Sequence, residues 1–195
     1  MNELSVERVI VELDKTLASE RPEHGLSQLD RLKVTDMLAP ELPTLPKSFV
    51  CTSTDARLAE WVLSNGPTID CVSRYAATFR FTNQRSQFLS AVIRLKDLTL
   101  VDPEACLQAM SQLGWLRGNA PNPVLDALLL EFDQTQLITV PLTRWLFIRD
   151  RVRAVSATPF VNAGLSGKAL GEAIYAERLR VLSTEISAPG TAPGL

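Results

Sequence analysis

The sequence predicts an all-α protein, an elongated multi-helix bundle of about eight helices. Apolar residues recur at helical spacing, as Val9, Leu13 and Leu17 do, so that they share one face of a helix. Helix start signals are clear, because Asp102 can cap a helix whose first residue is Pro103. No segment shows sustained two-residue alternation between hairpin turns, which is the pattern typical of strands.

The predicted helices follow one another with short connections. Ser5 can cap the first helix, and Glu7 lies in its first turn, where the helix dipole favours an acid. Asp55 and Ser166 can cap later helices in the same way. Prolines and hydroxyl residues between 42 and 53 indicate a linker. The predicted helices span residues 6–18, 23–32, 56–64, 70–78, 83–95, a segment that starts at 103, 124–132, 142–155 and 167–186.

The composition is typical of a cytoplasmic protein without membrane segments. A chain of 195 residues with 46% hydrophobic content can bury a core. The apolar runs are far shorter than the roughly 20 residues that cross a bilayer. The first residues lack a basic segment followed by an apolar one, so we expect no secretory signal. Three cysteines without close spacing are typical of reduced thiols.

The sequence offers no set of residues that would carry catalysis, and we expect no metal and no cofactor. His24 is the only histidine, so neither a nucleophile with its base nor a zinc site has enough partners. Close acidic pairs such as Glu12/Asp14 and Glu131/Asp133 lie on predicted helices, where residues two apart point to different sides. They therefore do not match the paired carboxylates of two-metal phosphoryl transfer.

Charge is unevenly distributed in the C-terminal part of the chain. The net charge of −2 argues against a dedicated nucleic-acid binder, since such proteins are usually basic. Guanidinium groups nevertheless suit phosphate oxygens, and one ten-residue stretch with a single acid contains Arg144, Arg149, Arg151 and Arg153. Lys168, Arg178 and Arg180 add charge in the next predicted helix. One interpretation is an RNA-binding face, and the other is a solvated face whose arginines pair with neighbouring acids.

A glycine-containing turn precedes the last predicted helix. The segment Gly164-Leu165-Ser166-Gly167-Lys168 lacks the spacing and the final hydroxyl residue of a nucleotide-binding phosphate loop. A helix start of this kind can still present free backbone N–H groups to one phosphate, with the lysine beside them. The alternative is a tight turn that only caps the helix.

Motifs at the two ends of the chain resemble one family. Residues 4–17, LSVERVIVELDKTL, and the leucine-rich segment that ends in LAPEL at 38–42 resemble the neck of bacterial class II CCA-adding tRNA nucleotidyltransferases and poly(A) polymerases. Residues 158–172, TPFVNAGLSGKALGE, resemble the junction between the body and the tail of these enzymes. Between about residues 43 and 143, only the helical pattern is similar.

The resemblance implies a helical neck, body and tail that grip tRNA. It implies a neck-like segment at 1–45 and a body with tail at 46–186, while the proline and glycine content of 187–195 predicts disorder. The residues expected to meet RNA are Arg144, Arg149, Arg151, Arg153, Gly164, Gly167, Lys168 and Arg178.

The family's catalytic head is not recognisable in this sequence. Neither its glycine-serine loop nor its paired metal-binding aspartates occur here, so we expect no nucleotide transfer by this chain alone. Arg8, Glu12 and Lys15 occupy positions of the family's last head-and-neck motif. The resemblance therefore implies that these three residues dock a separately encoded nucleotidyltransferase head.

Two functions follow from the sequence. The first is a cytoplasmic module that binds tRNA or another structured RNA, with neither DNA nor a membrane as its partner. The second is a protein-interaction adaptor or inhibitor on the same helical scaffold, without RNA binding. The acidic net charge and the weak central similarity favour the second function.

Overall fold

A computed structural model describes residues 6–34, 42, 44–117 and 122–188 of the chain. The described residues form helices joined by loops and contain no strand, which confirms the predicted all-α class. None of these helices is both long and apolar enough to cross a lipid bilayer. The helices are α1 Val6–Ala18, α2 Pro22–Arg31, α3 Thr54–Leu63, α4 Ile69–Phe79, α5 Asn83–Leu95, α6 Pro103–Gln112, α7 Pro123–Asp133, α8 Leu142–Arg153, α9 Thr158–Asn162 and α10 Gly167–Ser187.

The predicted helix bounds agree with the structure to within two residues, although α9 was not predicted. The Asp102 cap is confirmed, since its Oδ1 accepts from the N–H of Glu104 at 2.9 Å. The Asp55 cap is wrong: Ser53 precedes α3, and its hydroxyl oxygen accepts from the N–H of Ala56 at 3.4 Å. The Ser5 cap, most of the LAPEL motif, and residues 189–195 of the expected disordered terminus lie outside the described residues.

The chain divides into two compact units. Unit 1 is drawn from residues 1–96 and 123–138 and holds α1 to α5 together with α7. Unit 2 is drawn from residues 97–122 and 139–195 and holds α6, α8, α9 and α10. The domain boundary predicted after residue 45 stays a prediction. Within unit 1, α1 packs against α2, α3 and α4.

The core of unit 1 is centred on α5, which packs against α3, α4 and α7. Phe88, Leu89 and Val92 of this helix are fully buried. The rings of Phe88 and Phe132 meet edge to face with their centroids 5.9 Å apart, a favourable geometry for an aromatic pair. The buried side chains of α5 thus connect α3, α4 and α7.

Two half-buried arginines attach α1 to the rest of unit 1. Arg85 of α5 lies between two carboxylates, with Nε 2.6 Å from Asp55 Oδ1 and Nη1 3.1 Å from Asp14 Oδ1. Arg57 of α3 donates from Nη1 to the main-chain oxygen of Leu17 at 2.6 Å. That oxygen lies at the C-terminal end of α1, where the helix dipole favours a cation. These contacts fix which face of α1 is left exposed on unit 1.

Two glutamates hold the chain before α3. Glu60 Oε1 accepts from the N–H of Cys51 at 2.6 Å. Glu131 Oε1 accepts from the N–H groups of Thr52 at 2.6 Å and Ser53 at 2.7 Å. Burial raises the pKa of Glu131, but the hydrogen bonds from Ser53 and Thr52 outweigh it and hold that pKa below its ordinary value of 4.5.

The substitution Glu131→Gln is expected to destabilise unit 1 by about 1.5 kcal/mol at neutral pH, because it weakens charge-assisted hydrogen bonds. The pKa of Glu131 is lower in the folded chain than in the unfolded one. The charged carboxylate therefore stabilises unit 1 fully above pH 4.5, and this stabilisation is lost as the pH falls through the pKa of the folded state. Urea unfolding should therefore show a smaller difference between wild type and variant in acid than at neutral pH. Glu20→Gln, at an exposed carboxylate, is the control; an equal difference at both pH values would contradict the prediction.

In unit 2, α10 packs against α8 and α6. Trp145 of α8, Met110 of α6 and Leu182 of α10 are fully buried. All residues of α10 are described, and Leu182 alone among them is buried. The one buried residue of α10 thus lies in its C-terminal half, whereas its first half, 167–176, is exposed or half-buried; α10 also contacts α9.

Candidate nucleic-acid interface

Arg149 does not lie on the exposed face predicted for it. Its side chain is buried, with 3% of the residue exposed, and its Nε donates to Asp150 Oδ1 at 2.9 Å. Its guanidinium carbon lies 5.7 Å from the ring centroid of Trp115, a cation–π contact. Arg149 is therefore a packing residue of unit 2. The prediction that it belongs to an exposed basic face is wrong.

Arg144 and Arg151 both contact Glu185 of α10. The Nη2 of Arg144 donates to the main-chain oxygen of Glu185 at 2.6 Å, and its guanidinium stacks 5.4 Å from the ring centroid of Phe147. The Nε of Arg151 forms an ion pair with Glu185 Oε1 at 3.0 Å. The Arg151 charge is thus paired, although its side chain remains largely exposed.

Arg153 of α8 and Arg178 of α10 lie close together, and both are half-buried. Burial lowers the pKa of the Arg178 guanidinium, and the positive charge of Arg153 lowers this pKa further. Among the described residues, no hydrogen-bond partner reaches the buried Nε of Arg178. The positive charge of Arg153 therefore acts on a partly buried Arg178.

The charges of α8 and α10 do not cancel. Together the two helices carry seven lysines and arginines against four acids. Each acid is paired with one cation of these helices: Asp150 with Arg149, Glu172 with Lys168, Glu177 with Arg180, and Glu185 with Arg151. An excess of three positive charges remains on the two helices of a chain whose net charge is −2.

The turn before α10 has a backbone that requires glycine. Gly164 has φ +84° and Gly167 has φ +53°, both in the left-handed region that other residues rarely adopt. Ser166 occupies the cap position but makes no side-chain cap bond. Lys168 is almost fully exposed, and its Nζ lies 3.5 Å from Glu172 Oε1. The turn geometry explains both glycines, and the predicted phosphate contact at this helix start stays a prediction.

The structure does not gather the predicted residues into one cleft. Lys168 and Arg178 both lie on α10, ten residues apart, which corresponds to about 15 Å along a helix axis. The glycine turn and the Arg153–Arg178 pair are therefore separate positive positions on unit 2.

The predicted docking residues lie on the exposed side of α1. The Nζ of Lys15 pairs with Glu12 Oε1 at 2.8 Å, and both side chains are largely exposed. Arg8 and Glu12 line a groove of about 560 Å³, which is mostly apolar and also includes Leu13 of α1 and Leu29 of α2. Charged residues thus border an apolar surface within the first 45 residues.

The sequence interpretation missed two residues of α10. Glu185 neutralises Arg151 from 34 positions away, and no local pattern signals such a contact. Tyr175 is 49% exposed on the first half of α10. Its position three residues before Arg178 and seven after Lys168, on the same helix face, is a signal that the sequence contained.

The fold and the charges define an all-α protein with excess positive charge on two packed helices of unit 2. Residues 1–45 match a family model described as "Probable RNA and SrmB- binding site of polymerase A". The match covers 45 of the 195 residues, including α1 and α2, and it indicates an RNA-binding region of the poly(A) polymerase family in this part of the chain. No curated protein and no solved structure shows a significant match.

Proposed function

We propose that this chain is a binding module for structured RNA, with tRNA as the first candidate. The observation that carries the proposal is the match of residues 1–45 to an RNA-binding region. In this proposal α1 and α2 form one RNA contact, and the positive residues of unit 2 form another. The resemblance to the tRNA-gripping part of CCA-adding enzymes supports tRNA over other RNAs.

The charge distribution of unit 2 supports the second contact. Phosphate neutralisation by lysine and arginine supplies most of the sequence-independent affinity for nucleic acid. The two helices α8 and α10 carry a formal excess of three positive charges, and the remaining candidates for phosphate contact are Arg144, Arg151, Arg153, Gly164, Gly167, Lys168 and Arg178. An arginine that is already paired, such as Arg151, exchanges its carboxylate for a phosphate and contributes less than an uncompensated one.

We further propose that the exposed face of α1 docks a separately encoded nucleotidyltransferase head. The Glu12–Lys15 pair, together with Arg8, borders the apolar groove on α1 and α2. Apolar surface with a charged rim is typical of a protein interface. The chain would then hold the RNA, and the head would supply the chemistry.

A second candidate function, a protein-interaction adaptor without RNA binding, is favoured by the same groove. A protein ligand would use its apolar lining, and the acidic net charge of the chain would not hinder such a partner. The two functions differ in what co-purifies with the chain from its own cells: abundant RNA favours the first, and one stoichiometric protein without RNA favours the second.

The direct test is a mobility-shift titration of labelled tRNA at low salt. We expect a shift by the wild-type chain, and the same shift by the charge-swapped variant Glu12→Lys/Lys15→Glu, which keeps net charge and the intrahelical pair. Only the wild type is expected to retain a nucleotidyltransferase head in a pull-down. The absence of any tRNA shift, with and without a head protein, would reject the RNA-binding module.

A further inference from the structure

The groove on α1 and α2 combines an apolar lining with exposed apolar side chains. Val9 of α1 lines it together with Leu29 and Val34. Val11, which also belongs to the lining, is 50% exposed, and Leu32, three residues after Leu29, is 72% exposed. Exposed apolar side chains around a groove are typical of a surface that another molecule covers.

The charges on α1 determine which partner fits this groove. Arg8 and Glu12 both line it and are four residues apart, so they lie on one face of the helix, about 6 Å apart along its axis. A partner must therefore present a negative group beside Arg8 and, one turn further on, a positive group beside Glu12. A second α1 that runs antiparallel presents this order. With a two-fold axis at the level of Ile10, Arg8 of each helix is level with Glu12 of the other.

We propose that the groove binds α1 of a second copy of this chain in an antiparallel, two-fold symmetric contact. Arg8 of each copy faces Glu12 of the other, and Val9 of each copy lies level with Val11 of the other. Because a two-fold contact uses the same surface of both copies, each of these pairs forms twice. The apolar linings of the two grooves then cover one another.

The pairing requires neither charged residue to give up its present contacts. Glu12 Oε1 accepts from Lys15 Nζ at 2.8 Å, and both side chains are largely exposed. A carboxylate accepts about four hydrogen bonds and a guanidinium donates five. Glu12 can therefore keep Lys15 while it accepts from Arg8 of the second copy.

This contact covers the face of α1 that we propose for a nucleotidyltransferase head. The second copy and the head would therefore exclude each other, and a dimer would have to separate before a head could dock. The exclusion rests on the proposed function, whereas the contact between two copies does not.

The test is sedimentation of the full chain over a series of protein concentrations. The wild type is expected to approach twice the 21.5 kDa of one chain. Arg8→Glu places like charges opposite each other at both ends of the contact, as does Glu12→Arg, and each change should weaken self-association at least tenfold. An equimolar mixture of these two variants brings opposite charges together again, and we expect it to form a mixed dimer.

The controls make the same charge changes outside the described lining of the groove. Glu20 and Arg21 are exposed residues between α1 and α2. Glu20→Arg and Arg21→Glu should therefore keep the mass of the wild type. Circular dichroism of each variant verifies that its helices are intact.

Two results would overturn the contact. One is a wild-type chain that stays a monomer at every concentration. The other is a dimer that tolerates both charge reversals, or a mixture of the two variants that stays monomeric. Neither result touches the tRNA shift, so the proposed function would stand. A mixed dimer from a chain that shifts no tRNA would keep this contact and reject the RNA-binding module.

Discussion

Replacing Arg85 by alanine is expected to lower the free energy of unfolding of unit 1 by about 3 to 5 kcal/mol. The Arg85 side chain is 12% exposed and lies between Asp14 and Asp55, so its removal leaves two neighbouring carboxylates without their shared cation. Asp14 belongs to α1, and the loss would therefore weaken the attachment of the RNA-binding region to the rest of the unit. Chemical denaturation followed by circular dichroism measures the effect.

The matched control is Arg80→Ala. Arg80 also pairs with a carboxylate of α1, Glu7, but both side chains are more than half exposed. Exposed ion pairs contribute about 0 to 1 kcal/mol, so this change should be nearly neutral. If the two variants lost equal stability, the argument that the buried Arg85 contacts anchor α1 would be wrong.

Reversing three charges, with Arg151, Arg153 and Arg178 changed to glutamate, is expected to abolish RNA binding by unit 2. Each change replaces a cation that we propose to contact phosphate with an anion that repels it, and together they take the formal net charge from −2 to −8. We leave Arg149 unchanged because it is buried against Trp115, and a glutamate there would disrupt the core. A mobility-shift titration with tRNA measures the loss, and circular dichroism verifies the fold.

A control with the same net charge separates a local surface from a general charge effect. Lys47, Arg117 and Arg180 are exposed, and changing them to glutamate gives the same −8 without touching the proposed contacts. This control should keep most of the affinity. Equal loss in both triple variants would mean that α8 and α10 form no specific RNA surface.

The helices were predictable because their signals are local. Apolar spacing and the Asp102-Pro103 start depend on neighbours in sequence, and the structure confirms them. The Asp55 cap failed for a non-local reason: Ser53 takes the cap position, because Glu131 and Glu60 fix the chain just before it. The hydrogen bonds to Glu60 of α3 and Glu131 of α7 decide where α3 starts. A search of the sequence for cap residues does not detect such contacts.

The candidate interface was less predictable because pairing and burial depend on distant residues. Four arginines in a short stretch predicted one basic face, but α8 turns Arg149 inward against Trp115. Arg151 is paired with Glu185, 34 positions later. The packing of α10 on α8 brings two of the predicted cations, Arg144 and Arg151, to Glu185, and the charge of a third, Arg153, lowers the pKa of Arg178.

The salt dependence of tRNA binding measures whether the cations of α8 and α10 contact RNA phosphates. If the excess positive charge of α8 and α10 contacts phosphates, the logarithm of the association constant should fall linearly with the logarithm of salt concentration. Three contacts predict a slope of about −2 to −3. A slope near zero, or no binding at the lowest salt concentration, would contradict RNA binding by this chain.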